Sequence, residues 1–329
     1  MVGECPWEYP MKVLLLFIDG LGVGKRDEQV NPLAAFNGEI LSFFDGDSRG
    51  KPLPQGGFGF SLDAHLGVPG LPQSATGQTA ILSGVNAPVL EGRHVVGFPT
   101  EKLRNVLLKS NILKGAKEKG LRSTFLNAYR PGIDEMIRKK KYRFFSATTF
   151  ATIGAGLPFR RIENLITGEA VYHEFTNVTL IDQGYDVPLF SAERAGNVVV
   201  SLAKRHDFSL FEYFQTDRVG HKGLMDEALA QIQRLELFLR AILTKVADEK
   251  ITILLVSDHG NIENNATRKH THNRILAAAW GPRAYDLSMK LGSLLDVRPA
   301  IEACLADREV PQAVEIPFVG GQTDPDGAS

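Results

Sequence analysis

The sequence predicts a doubly wound α/β fold: a mostly parallel sheet with helices on both faces and a small inserted cap. Three observations carry this expectation. Several apolar runs of strand length end in polar residues, amphipathic helical patterns lie between them, and one central stretch breaks that alternation.

Residues 13–18 (VLLLFI) are the first run, and Asp19-Gly20 follows it. Residues 208–214 (FSLFEYF) precede Gln215-Thr216-Asp217. Residues 251–256 (ITILLV) precede Ser257-Asp258-His259-Gly260, and residues 275–280 (ILAAAW) run from a His-rich stretch into Gly281-Pro282. Continuous apolar runs of this length suit strands of a parallel sheet covered on both faces. Over residues 225–246, Leu229, Ile232, Leu235, Leu239, Ile242 and Val246 recur at spacings of three and four, which predicts an amphipathic helix with Asp226 as a cap near its start. A second helix is expected over 102–119, closed by Gly120, and a strand over 122–128. Strand alternating with helix is the pattern of a doubly wound sheet.

The stretch 129–191 opens on Arg130-Pro131-Gly132, carries the basic run 138–143, and continues in loops rich in Gly and Thr. It reads as a cap inserted into a core formed by residues 1–128 and 192–318; irregular surface on the main domain is the plainer alternative. Residues 319–329 are rich in Gly and Asp and are expected to be disordered.

A chain of 329 residues with 43% hydrophobic content can bury a sizeable core. Its formal net charge of −1 argues against binding to nucleic acid or a membrane surface. The two cysteines, Cys5 and Cys304, are far apart and fit no metal-ligand spacing, so a reducing cytoplasm is the expected compartment. The first apolar run is too short for a membrane span.

The chemistry gathers at the ends of the runs. Asp19, Asp217 and Asp258 each follow a predicted strand, and ligands of open parallel sheets bind outside the carboxyl ends of the strands. Asp217 and His221 are four apart, which on a helical turn puts them on one face. His259 adjoins Asp258, and Gly260 lets the backbone approach closely. His270 and His272 compete for one further place, with the spacing to Asn273 favouring His270. Carboxylates and imidazoles without thiolates suit zinc or manganese. Ser74, at or near the start of a helix in PQSATGQTA, is the candidate nucleophile: a helix N-terminus favours an anion, and a nearby metal lowers the hydroxyl pKa. Thr76 is the fallback hydroxyl. Asn261 and Glu263 are candidates to orient ligands from behind. Arg130, Arg160 and Arg161 are candidate phosphate clamps. His94, Asp27 and the basic run read more simply as loop or solvated residues.

In order, the chain presents Asp19-Gly-Leu-Gly, Gln73-Ser-Ala-Thr-Gly-Gln, Asp217-x-x-x-His221-x-Gly223, Asp258-His-Gly-Asn-x-Glu263 and His270-Thr-x-Asn273. This series resembles the alkaline phosphatase superfamily, and within it the branch of cofactor-independent phosphoglycerate mutase and phosphopentomutase. The resemblance implies two divalent metal ions, Mn2+ or Zn2+. One would be held by Asp19, Ser74, Asp258 and His259, the other by Asp217, His221 and His270. It also implies a phosphoserine intermediate at Ser74 and a small phosphorylated substrate, in a phosphomutase or a phosphatase. The arginine-rich substrate motifs and transferase insertion of phosphoglycerate mutase are missing, as is the cap signature of phosphopentomutase, and Gln78 stands where mutases usually hold His. A phosphodiesterase or nucleotide pyrophosphatase of the same superfamily is the alternative enzyme; a sulfatase fits less well, for want of its modification motif. A non-catalytic metal-binding protein is the alternative of another class.

Overall fold

The computed structural model describes residues 11–246 and 250–306. The expectations for Cys5 and for the tail 319–329 lie outside them. Nine strands are present among the described residues: β1 (Lys12–Ile18), β2 (Lys51–Leu53), β3 (Gly57–Leu62), β4 (Ser123–Phe125), β5 (Ala128–Tyr129), β6 (Arg160–Arg161), β7 (Phe208–Tyr213), β8 (Ile251–Val256) and β9 (Ile275–Trp280). Seven form the main sheet in the order β2-β3-β9-β8-β1-β7-β4, and β5 and β6 pair separately. The pairs β8–β1, β1–β7 and β7–β4 are parallel. The run 275–280 does form a strand, but β9 lies antiparallel to β8 and β3. Its apolar character reports burial on two faces, which a central antiparallel strand needs as much as a parallel one. The sequence reading missed β2 and β3, whose residues KPL and GFGFSL are broken by Pro and Gly.

The alternation of side chains along each strand feeds two cores. Leu14, Leu16 and Ile18 of β1 face one, and Val13, Leu15 and Phe17 the other. The first core is closed by the helices Ala192–Arg205 and Met225–Val246. The second is closed by the helices Ser74–Ser83, Ile112–Glu118, Ala147–Gly154 and Val297–Ala306. Each fully buried Leu or Ile contributes about 2 kcal/mol, so an inner strand with both faces covered is held from both sides. Cys304 is buried in the second core.

The helix over 225–246 has the expected bounds. Buried within it, Glu236 accepts the backbone N–H groups of Glu39 at 2.9 Å, Ile40 at 2.7 Å and Leu41 at 3.3 Å, which satisfies a loop the sheet leaves unpaired. The helix expected over 102–119 is instead two, Glu101–Lys109 and Ile112–Glu118. Asn111 divides them: its Oδ1 caps the second through Lys114 N–H at 3.0 Å, while its Nδ2 donates to the Leu107 and Ala151 carbonyls. The strand expected over 122–128 ends at Phe125, and the chain then crosses into the β5–β6 pair.

Residues 129–191 pack in three places, and Val171, Phe175 and Phe190 enter the first main core. Ile133, Phe145, Phe150 and Ala151 enter the second main core, so this part is continuous with the main body. Ile162, Leu165, Tyr172, Leu180 and Val187 form a small cluster of their own with Ala128 and Ala170. No helix among the described residues is long and apolar enough to cross a membrane.

Candidate metal centre

Sheet order brings the predicted residues together. Asp19, Asp217 and Asp258 follow β1, β7 and β8, which are parallel neighbours, so all three lie at one carboxyl edge. β9 runs antiparallel to β8, so the loop leading into it, with His270, reaches the same edge. β3 is antiparallel to β9, and the chain leaving it carries Ser74 there too.

Two groups of donor atoms result. In the first, His259 Nε2 lies 3.1 Å from Asp19 Oδ1, 3.6 Å from Asp258 Oδ2 and 3.0 Å from Ser74 Oγ. In the second, Asp217 Oδ1 is 3.4 Å from His221 Nε2 and 3.3 Å from His270 Nε2, and those two nitrogens are 3.3 Å apart. Donor atoms about 2.1 Å from one shared cation stand about 3 to 3.5 Å from each other, the spacing found in both groups. The groups adjoin, since the His259 and His270 rings stack with centroids 3.6 Å apart.

The residues fit cations on three further counts. Each imidazole turns Nδ1 to a backbone carbonyl: His221 to Arg268 at 2.8 Å, His270 to Pro72 at 3.0 Å and His259 to Gly260 at 3.4 Å. Nδ1 therefore carries a proton, and Nε2 is left to hold a second proton or a cation. Asp19 Oδ1 is buried and accepts no hydrogen bond. Burial pushes the Asp19 carboxyl well above the usual carboxylate range, and repulsion from Asp258 and Asp217 adds to it; burial raises Asp258 as well, with Asp217 adding and His259 opposing. A bound cation would offset this repulsion and keep both carboxyl groups ionised. Asp217 behaves otherwise: burial works against ionisation, but the His270 contact, the charge of His259 and the Asn261 hydrogen bond hold its pKa at about 2.

Supporting contacts fix these side chains. Asn261 Nδ2 donates to Asp217 Oδ1 at 2.7 Å. Glu263 accepts the N–H groups of Gly22 at 2.9 Å and Asn261 at 2.7 Å, the Asn273 amide at 3.0 Å and the Thr271 hydroxyl. It thereby ties the loop after β1, the loop after β8 and the His270 loop together. Glu263→Gln is expected to weaken metal binding about 10- to 100-fold without unfolding the chain, as read by isothermal titration with Mn2+ or Zn2+. Gln78 went unassigned in the sequence; its Nε2 lies 3.3 Å from both Asp19 Oδ2 and Asp258 Oδ2. Gly77 is needed for close approach, since a Cβ there would meet Asp258 Cβ at 2.8 Å.

Ser74 is the first residue of its helix, not the cap: Gln73 occupies the cap position, and the Ser74 hydroxyl faces His259. Of the first-turn amides, Ala75 N–H is spent on the Val95 carbonyl. Thr76 is fully buried, with its hydroxyl donating to the Gln73 carbonyl and accepting from Val95 N–H, which removes it as a fallback nucleophile. His272 points away from the centre and meets His65 at 3.0 Å. His94 holds the Val68 carbonyl, and Asp27 is an exposed turn residue bonded to Gln29 N–H.

Two candidate clamps are engaged by groups of their own chain. Arg160 is spent inside the fold on the carbonyls of Phe125 and Glu169 and the Thr124 hydroxyl. Arg161 pairs with Asp134 at 2.6 Å. The residues of the basic run are exposed, Lys139 pairing with Glu135. Arg130 is exposed, donates to Gln183 Oε1 at 3.2 Å and lines a cavity.

Fold and site together define an α/β protein that gathers oxygen and nitrogen donors for divalent cations beside a serine at a helix start. A family profile described as the Metalloenzyme superfamily matches residues 11–305, and the chain belongs to that superfamily. Among curated proteins it is similar to the 2,3-bisphosphoglycerate-independent phosphoglycerate mutase of Mycoplasmopsis synoviae, 30% identical over 35% of this chain and 24% of the relative. It is likewise similar to the mutase of the same name from Moorella thermoacetica, 26% identical over 63% of this chain and 36% of the relative. The matched region thus spans only a quarter to about a third of these relatives' length. Among solved structures it shares its fold with alkaline phosphatase from the Antarctic bacterium TAB5, at TM-score 0.51 and 12% identity over 91% of this chain and 99% of that one. The cold-active alkaline phosphatase from the psychrophile Shewanella sp. gives TM-score 0.51 and 10% identity, over 90% of this chain and all of that one (100%).

Proposed function

We propose that the chain is a metal-dependent phosphotransferase, a phosphatase or phosphomutase acting on a small phosphorylated metabolite through a phosphoserine at Ser74. The observation that carries this reading is the placement of the Ser74 hydroxyl, 3.0 Å from His259 Nε2, partly open to solvent and at the positive end of a helix. The curated relatives named above are phosphoglycerate mutases, which supports phosphoryl transfer as the chemistry.

Asp19, Ser74, Asp258 and His259 would hold one cation, and Asp217, His221 and His270 the other. Mn2+ or Zn2+ suits this donor set, and such ions supply a lowered hydroxyl pKa and neutralise charge on the transferring phosphoryl group. Ser74 gives up its hydroxyl proton to solvent as Oγ attacks phosphorus in line, the bond from phosphorus to the ester oxygen breaks, and the departing oxygen takes up a proton from solvent. A water, or a second hydroxyl of the substrate, then displaces Ser74 Oγ. Asn261 and Glu263 keep Asp217 and the three loops in place throughout. The part of 129–191 beside the site would act as the cap that admits or excludes water.

The test is to incubate the Mn2+- or Zn2+-loaded protein with a panel of phosphorylated metabolites, quench in acid and map the modified peptide. A phosphoryl group on Ser74 is expected; turnover with no adduct on any serine or threonine under burst conditions would count against the covalent route.

A further inference from the structure

A cavity of about 440 Å³ is lined by the 129–191 stretch and by Glu212 of β7, whose charge acts on Asp19 and Asp258 of the metal centre. Its floor includes Glu212 near the end of β7 and Phe214 just after it, and the same chain then turns into the helix that carries Asp217. Its rim includes Phe98, which follows the Val95 segment that is hydrogen-bonded to Ala75 and Thr76 beside Ser74. Two elements thus link the cavity's lining to the centre, the chain that runs on to Asp217 and the Val95 segment held against the helix of Ser74.

Eight of its eighteen lining residues are Phe or Tyr, in a chain whose aromatic content is 9%. This enrichment marks a surface shaped for a flat apolar group. Polar side chains sit among the rings, and Glu212 and His173 are two of them. Glu212 is buried; its Oε2 accepts the Thr148 hydroxyl at 2.6 Å, and no described residue donates to Oε1. His173 stacks on Phe214, with centroids 4.2 Å apart, and accepts from Gln215 through Nδ1 at 3.0 Å. Burial pushes the His173 imidazole down to about 3, so it is neutral and its remaining proton lies on Nε2. Besides the Arg130 guanidinium and the tyrosine hydroxyls, the walls thus offer an acceptor, Glu212 Oε1, and a donor, His173 Nε2–H.

We propose that this cavity receives the organic part of the substrate, and that this part is a planar heteroaromatic ring with hydrogen-bonding groups on its edge, as in a nucleotide. The proposal rests on the phosphoryl-transfer reading for the reaction itself, but not for binding of the ring. A small aliphatic phosphate such as a phosphoglycerate would leave the aromatic walls unused.

The metal-loaded protein should be assayed with three classes of ester: nucleoside monophosphates, phenyl phosphate and glycerol phosphate. At least one nucleotide is expected to exceed glycerol phosphate in kcat/KM by about tenfold or more, the scale of a base stacked on an aromatic side chain. The double variant Phe98→Ala/Phe144→Ala trims two half-exposed rim rings. It is expected to cut kcat/KM for that nucleotide about tenfold and leave glycerol phosphate within about twofold. Calorimetry should show the unphosphorylated nucleoside binding the wild-type protein and binding the variant more weakly. If glycerol phosphate is turned over as well as every nucleotide, and no nucleoside binds, the cavity assignment fails while phosphoryl transfer stands. If a nucleoside binds through the rim but no ester is turned over, the ring site stands and phosphoryl transfer fails. Preference for phenyl phosphate over every nucleotide overturns the heteroaromatic assignment.

Discussion

Ser74→Ala is expected to lower kcat by about 10⁴-fold or more for whatever phosphoester the wild-type protein turns over, while both cations stay bound. The reasoning is geometric. The hydroxyl contributes one oxygen to the first donor group, and Asp19, Asp258 and His259 remain when it is removed. The second group, Asp217, His221 and His270, does not include it. The helix should persist, because Ser74 does not cap it and alanine is a good helix former. Metal content by elemental analysis and steady-state turnover check the two halves separately. Loss of activity together with loss of metal would mean that Ser74 acts only as a ligand. Full activity would move the attack to water, because Thr76 is committed to Gln73 and Val95.

The sequence revealed most about the residues on which chemistry and burial agree. Runs of uniformly apolar residues could only be strands covered twice, and β1, β8 and β9 sit where those runs fall. Their direction was less legible, since an inner antiparallel strand is buried like a parallel one; hence β9 was expected in the parallel set. β2 was invisible because it is three residues long with Pro52 at its centre, and β3 because Gly57 and Gly59, which pack against the rings of Trp280 and Phe43, carry no side chain to mark a period. The break at Asn111 was hidden because Asn is tolerated within a helical pattern and its amide is also held by the Ala151 carbonyl, forty residues away in sequence. Ligand types and spacings drew attention to Asp19, Ser74, Asp217, His221, Asp258, His259 and His270, and the fold gathers all of them at one edge. Charge alone could not foretell that Arg160 meets the Phe125 carbonyl and Arg161 the Asp134 carboxylate. Glu212 gave no signal at all: inside FSLFEYF it is one acid in an apolar run, and only the burial of both faces of β7 makes it notable.

Asp258→Asn should act in opposite directions on the metal-free and the metal-loaded protein. In the metal-free chain Asp258 is fully buried close to Asp19, with Gln78 Nε2 as a shared donor to both carboxylates. Burial and repulsion from Asp217 disfavour its charge, and it is itself the strongest repelling charge on Asp19. An amide of the same shape removes that repulsion, so the metal-free variant should melt at or above the temperature of the metal-free wild type. In the loaded protein the balance reverses. A cation present at about 1,000 times its Kd stabilises the native state by about 4 kcal/mol. At roughly 2 °C per kcal/mol for a chain of this size, that raises Tm by about 8 °C. The amide supplies no negative charge and a weaker donor, so the variant should lose most of that rise. Thermal melts with and without Mn2+ or Zn2+ would give the four temperatures. A variant that melts lower than wild type in both states would instead identify Asp258 as an ordinary structural carboxylate, stabilised by Gln78 rather than held in readiness for a cation.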